Sequence, residues 1–180
     1  PIDRVAERLV ADGVEPDQAR FWAAMTGGSL GRAGRLAGTE LYAVKQRLVA
    51  AAGKVTDATA PKLAELLLKA MQERAKAIQS ADKDIAGSLA SRRAGQVLLE
   101  LLGSVYRDAL TRAAGADRPL IHADQAEEID AAAERLGPDR IAEILSQLAR
   151  YEQMLWRNVN FKILWDNVAI TCASASPLRV

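Results

Sequence analysis

Histidine and cysteine are almost missing from this chain, which has one of each, His122 and Cys172, in 180 residues. A lone cysteine excludes an internal disulfide and fits a reducing compartment. A lone histidine excludes paired-histidine metal sites and argues against a nucleophile–base triad built on imidazole. Aromatic residues are only 4% of the chain, which disfavours sheet, because strands are enriched in aromatic and β-branched residues. Charge of one sign is not in excess either. The formal net charge is +1, so no global field advertises nucleic acid or anionic lipid. No apolar run approaches the roughly 18 residues of a membrane span. The chain opens at Pro1 without a basic segment leading into an apolar one, so no signal peptide is visible. That opening raises the expectation of a fragment of a longer protein.

What the chain does have is alanine, leucine and helical periodicity. Hydrophobic residues make up 49% and charged residues 26%, ordinary for a globular protein. Apolar spacing reads as five or more helices and no strand. A first helix covers about Asp3 to Ala11 with Val5, Leu9 and Val10 on one side, and Gly13 ends it. Glu15-Pro16-Asp17 starts a second, with Pro near the first turn where its missing N–H costs little. Phe21, Trp22 and Met25 form its apolar side, and Thr26-Gly27-Gly28 stops it. Ser29 is the expected cap of a third helix carrying Leu36, Leu41, Val44 and Leu48 to Gly53. Thr56 to Pro61 reads as a linker and helix start, and Leu63, Leu66, Leu67, Ala70 and Met71 follow at helical spacing. The polar stretch from Arg74 to Arg93 reads as a solvated face or a mobile connection. Val97 to Leu110 carries the widest apolar stripe and should be central to a bundle.

Beyond the loop Gly115 to Pro119, Asp124-Gln-Ala-Glu127 has capping-box spacing with Asp as the cap. Gly137-Pro138 marks a stop and restart. Ile141, Ile144, Leu145, Leu148 and Leu155 lead to a joint at Asn158 and Asn160, where one helix ends and another begins with almost no linker. Two helices joined so tightly are expected to pack closely, with Trp156 and Trp165 flanking the joint. The tail from Ala173 to Val180 is expected to fray.

The search for chemistry returns little. His122 lies in a loop and reads as a surface or capping residue, and Cys172 as a small apolar residue in a packed face. Glu65/Lys69 and Glu73/Lys76 are ordinary exposed helical pairs. Glu127, Glu128 and Asp130 suit the positive end of a helix, with too few partners for a metal site. The glycine-rich run Gly27-Gly28-Ser29-Leu30-Gly31-Arg32-Ala33-Gly34-Arg35 lacks both the GxxxxGK[ST] pattern and a preceding strand, so it is no P-loop. Arg32 and Arg35 are suited either to a phosphate or to holding a neighbouring helix.

Three stretches, in order, resemble one family. Phe21-Trp-Ala-Ala-Met-Thr-Gly27-Gly28-Ser29-Leu30-Gly31-Arg32-Ala33-Gly34-Arg35-Leu36-Ala37 resembles the lid segment of bacterial DNA polymerase III delta-prime subunits. Leu98 to Asp108, with Leu101, Leu102 and Arg107, looks like that family's collar helix. Arg157-Asn158-Val159-Asn160 ahead of the apolar helix from Phe161 is similar to its Asn-x-Asn signature. The resemblance implies an all-α fragment, with a small three-helix lid unit of an AAA+ module (1–53) followed by a helical-bundle collar domain (54–180). It implies a cytoplasmic, non-catalytic clamp-loader subunit without cofactor or metal, from which a preceding ATPase-type domain is missing. Its partners would be gamma/tau-type and delta-type subunits, with DNA and the sliding clamp met only through the complex, and no membrane.

Departures from the pattern are informative. ATP-binding relatives carry Gly-Ser-x-Arg-Asp-Ala, and aligning on Gly28-Ser29 and Ala33 puts Gly31 at that Arg and Arg32 one place later. This favours the delta-prime type. Leu30 stands for the usual Pro and Gly34 for the usual Leu, and Trp165-Asp-Asn replaces the customary Leu-Glu pattern. The lid residues to follow are Gly28, Ser29, Arg32 and Arg35. The packing or interface candidates are Leu98, Leu101, Leu102, Arg107, Asp108, Trp156, Asn158, Asn160, Phe161 and Trp165. The rival readings are a free-standing helical adaptor and a small nucleic-acid binder, the latter disfavoured by the near-neutral charge.

Overall fold

The computed structural model describes residues 1–157 and 159–173 and is all-helical, with eight α-helices and no strand among the described residues. Helix α1 (Ile2–Ala11) buries Val5 and Leu9, one turn apart. Val10, expected beside them, is exposed, because a neighbour in sequence lies about 100° around a helix. Helix α2 (Pro16–Met25) begins on its proline and buries Phe21 and Trp22. The Thr26 hydroxyl donates to the Trp22 carbonyl at 2.7 Å. Gly27 and Gly28 then adopt φ of 62° and 81°, a left-handed pair that only glycine takes at no steric cost.

The single helix expected from Ser29 to Gly53 is two, α3 (Leu30–Ala37) and α4 (Leu41–Gly53). The cause lies at Gly38-Thr39. The Thr39 hydroxyl donates to the Leu36 carbonyl at 2.7 Å and accepts the Leu41 N–H at 3.4 Å, offering the backbone a local alternative to the helix ladder. Four helices therefore precede residue 54, where three were expected. Helix α4 leans on the rest of the chain more than on α3: it packs against α7 and also touches the two helices before it, α5 and α6. At its end, a Cβ on Gly53 would stand 2.7 Å from the Glu128 carbonyl oxygen.

Helix α5 (Ala60–Ala81) buries Leu63, Leu67, Ala70 and Met71, with Leu66 half-buried. It runs through Arg74, so the polar stretch is a solvated helix face to Ala81, followed by a short turn to α6 (Gly87–Ala113). Helix α6 is the central element as expected. Leu98, Leu101, Leu102, Val105 and Tyr106 are all fully covered, and α4, α5 and α7 surround it. A 3-10 turn (Ala123–Gln125) leads into α7 (Ala126–Leu155), which breaks and restarts at Gly137, φ 71° and ψ 166°, ahead of Pro138.

Helix α8 (Phe161–Ala173) starts at Asn160, whose side-chain oxygen accepts the N–H groups of Lys162 and Ile163 at 2.9 and 3.3 Å. This is the expected cap. Asn158 lies outside the described residues, as does the tail 174–180. The tight joint does not make α7 and α8 a closely packed pair. Instead α8 crosses onto α5, where the Trp165 indole N–H meets the Met71 sulfur at 3.4 Å. Gly95 on α6 makes room for this, since a Cβ there would approach Leu155 at 3.1 Å and Trp165 at 3.5 Å. The buried side chains form one cluster from Val5 to Ala173, and the expected division at residue 53 falls between two helices that both contribute to it.

Candidate functional site

Sequence motifs at opposite ends of the chain are carried by different parts of the fold. The glycine turn leaves Ser29 extended ahead of α3, without a side-chain bond to the helix end. Arg32, one turn into α3, reaches Glu100 on α6 at 2.8 Å. It holds a neighbouring helix. Arg35 is exposed and forms no ion pair among the described residues.

The packing candidates divide by burial. Leu98, Leu101, Leu102 and Trp165 are core, Phe161 is half-buried, and Trp156 stays 50% exposed at the end of α7. Arg107 is exposed while its neighbour Asp108 is buried and accepts the His122 backbone N–H at 2.7 Å. Burial pushes the Asp108 carboxyl upward, against backbone N–H groups of His122 and Ile121 that hold it down. Met154, Ile163 and Ile170 add further exposed apolar side chains on α7 and α8.

The densest chemistry in the molecule lies elsewhere, where α2, α4, α6 and the turn before α7 meet. Lys45 is fully buried, and its ammonium lies 2.5 and 2.6 Å from the two oxygens of Asp124. It also sits 4.7 Å from the Phe21 ring centroid and 5.1 Å from that of Tyr42, within cation–π range. The Tyr42 hydroxyl donates to Asp124 at 2.9 Å. Burial lowers the Lys45 ammonium despite its carboxylate partner. Burial would raise Asp124, but the hydrogen bond and charge of Lys45 outweigh it and leave the carboxyl low. Asp124 is thus the acceptor of a buried cation, and the expected capping box is not formed: α7 starts at Ala126 without a side-chain cap.

His122 is likewise not a surface residue. It is fully buried, with its ring 5.2 Å from Phe21 and Nε2 2.8 Å from the Ser104 hydroxyl. That hydroxyl is 2.6 Å from the Leu101 carbonyl, which can only accept. The Ser104 proton therefore goes to Leu101, and His122 Nε2–H donates to Ser104. Nδ1 is left without a partner. Burial first and the Lys45 charge second push the imidazole down to about 3, so it is neutral at ordinary pH. Serine and histidine are adjacent, but the serine proton is already committed and both groups are sealed from solvent. The pair joins helices.

Two arginines that sequence reading did not single out close helix ends. Arg135 donates to the carbonyls of Ala173 and Cys172 on α8 and of Ala52 on α4, at 3.3 to 3.4 Å. Arg140 donates to the Thr171 carbonyl at 2.7 Å and pairs with Glu143 at 2.8 Å. Cations there suit the negative ends of those helices. Cys172 is buried as expected, its thiol pushed up to about 12 by burial. Among the described residues no group of three or more potential ligands could hold a metal ion. No helix of the described residues is long and apolar enough to cross a membrane.

The molecule is thus an all-helical packing unit built around a central helix, with its polar groups spent on joining elements. A family model, DNA polymerase III, delta subunit, C terminal, matches residues 66–172, more than half of the chain and nearly all of α5 to α8. The chain belongs to that clamp-loader family. The family description names delta, where the glycine-rich motif resembles delta-prime. No curated protein and no solved structure matches the chain.

Proposed function

We propose that this chain is the lid-plus-collar portion of a delta-prime-type clamp-loader subunit. It has no catalytic activity of its own and works in the cytoplasm by assembling with gamma/tau-type and delta-type subunits. The observation that carries the reading is the family match across residues 66–172, the region of the helical bundle. The delta-prime type is preferred because Gly31 stands where ATP-binding relatives carry Arg. Arg32 is also occupied by Glu100, which leaves it a tie between helices and no nucleotide contact. DNA and the clamp would be reached through the complex.

Co-expression with a gamma/tau-type ATPase subunit and a delta-type subunit, followed by size-exclusion chromatography with light scattering, tests this. A single stoichiometric complex containing the chain is the expected result. A chain that elutes alone in the presence of both partners would overturn the reading in favour of an independent adaptor. The isolated chain is expected to hydrolyse no ATP.

A further inference from the structure

Helices α4 and α5 meet along only part of their length, and the gap between them is a groove. One hollow of about 450 Å³ lies between the α3–α4 turn, Leu41 and Val44 on one side and Ala70, Arg74 and Ala77 on the other. A second of about 230 Å³ continues it past Arg47, Leu66 and Lys69 toward Lys62. The two share Ala70 and Glu73 and form one track. From Lys62 to Ala77 that track follows α5 for about 22 Å at a helix rise of 1.5 Å per residue.

Arg74 is the anomaly in this groove. It is half-buried, its Nε is out of reach of water, and that atom has no hydrogen-bond partner. The two other half-covered or covered guanidinium groups described above, Arg135 and Arg140, have carbonyl or carboxylate acceptors. Burial lowers Arg74 from its usual range, with no carboxylate nearby to oppose the shift. Further along the track Arg47, Lys62 and Lys69 also lack ion-pair partners among the described residues. Glu40, Glu65 and Glu73 border the groove too. They are exposed and bridge to none of these cations.

A covered guanidinium without an acceptor, at the wall of an apolar hollow, is a half-made charge-assisted hydrogen bond. Arginines in such desolvated settings are typical anchors of protein–protein contacts. A carboxylate beside an apolar side chain would complete it. The length of the track and its cations at several points fit a chain segment better than a compact ligand.

We propose that the α4–α5 groove docks an acidic, amphipathic segment of another protein chain, one carboxylate meeting Arg74 and a neighbouring apolar side chain filling the hollow beside Leu41, Val44 and Ala70. This surface is independent of the assembly reading above, and its failure would leave that reading intact.

The test uses the full 180-residue chain and a fluorescein-labelled peptide of about 15 residues, long enough to span the track as a helix. The peptide carries Leu at every third or fourth position and Glu between them, and a counterpart replaces each Glu by Gln. Fluorescence anisotropy should show saturable binding of the Glu peptide and at least about tenfold weaker binding of the Gln peptide, a difference of one decade in Kd. Arg74→Met should abolish the preference and Arg74→Lys should restore part of it. Ala77→Trp, at an exposed lining position, should block both peptides. Arg93→Met, an exposed cation on α6, should change nothing. Equal losses from Arg74→Met and Arg93→Met would reduce the effect to net charge and overturn the proposal. So would undiminished binding by Ala77→Trp, or no binding of the Glu peptide up to about 1 mM. Unchanged far-UV circular dichroism certifies that each variant is folded.

Discussion

Lys45 carries a charge into a place with no solvent contact, while the side chain of its partner Asp124 keeps 16% of its surface accessible. That asymmetry decides what each substitution leaves behind. Asp124→Asn strands a fully buried ammonium, which costs about 3 to 5 kcal/mol when a buried pair loses one member. Lys45→Met strands a carboxylate that can still reach water, and methionine refills the volume between Phe21 and Tyr42, so about 1 to 2 kcal/mol is expected. Urea denaturation at pH 7 of both variants checks the order, and the reverse order would mean that the cation is not sealed. His122 adds a pH dependence. Its folded value of about 3 lies below the unfolded value near 6.5, so the unfolded chain binds the extra proton first as pH falls. Its contribution is fully present above about pH 6.5 and is lost progressively between about 6.5 and 3. Burial raises Asp108 and works in the opposite sense, so the comparison is with His122→Gln. Between pH 6.5 and 5 the wild type should lose about 2 kcal/mol more than that variant, at about 1.4 kcal/mol per pH unit. Parallel stability curves for the two proteins would refute the assignment.

The same two side chains show where element-level reading from sequence stops. Apolar periodicity is local, so the stripes of α5, α6 and the second half of α7 were legible, as were the Gly137-Pro138 break and the Asn160 cap. Asp124 has ideal capping spacing, yet a lysine 79 residues earlier in the chain captures its carboxylate, and nothing local announces that. His122 sits in a polar loop and is buried only because α2 folds over it. The α3–α4 break was legible in principle, in Gly38 and a threonine able to bond back to the helix. A continuous apolar pattern across it concealed the signal. Glycines make the difference between local and tertiary demands measurable. Gly103, within α6, has open space where a Cβ would go, so Gly103→Ala should stabilise by about 0.5 to 1 kcal/mol through helix propensity and a less flexible unfolded chain. Gly53, at the end of α4, has the Glu128 backbone oxygen at 2.7 Å from that position. Gly53→Ala must push α4 off α7 and should cost about 1 to 3 kcal/mol. Thermal unfolding distinguishes them by sign, and a stabilised Gly53→Ala would show that the close approach of α4 to α7 is absent in solution.

At the scale of the molecule the question is whether the first four helices and the bundle are two units or one. The Arg32–Glu100 pair between α3 and α6 is substantially exposed, and such pairs contribute at most about 1 kcal/mol. It cannot by itself couple two domains. The apolar contacts can. Leu41, Val44, Leu48, Val49 and Ala52 of α4 belong to the same buried cluster as α5 to α8, and the Lys45–Asp124 pair and Arg135 stitch α4 to α7 and α8 as well. A boundary at residue 53 would cut through this contact, and either piece alone would expose the apolar face it lost. Unfolding of the chain should therefore be one cooperative transition. Trp22 on α2 and Trp165 on α8 are both fully buried and report from the two parts. With Trp156→Phe removing the exposed indole, Trp22→Phe and Trp165→Phe each leave a single buried reporter. Urea midpoints followed by fluorescence from either tryptophan should coincide with the loss of helix seen by circular dichroism, after correction for the stability change each substitution brings. Separated transitions, with the Trp22 signal lost before or after the helices of the bundle, would establish two independent units divided near residue 53. The continuous core would then be a contact between domains, and not the interior of one.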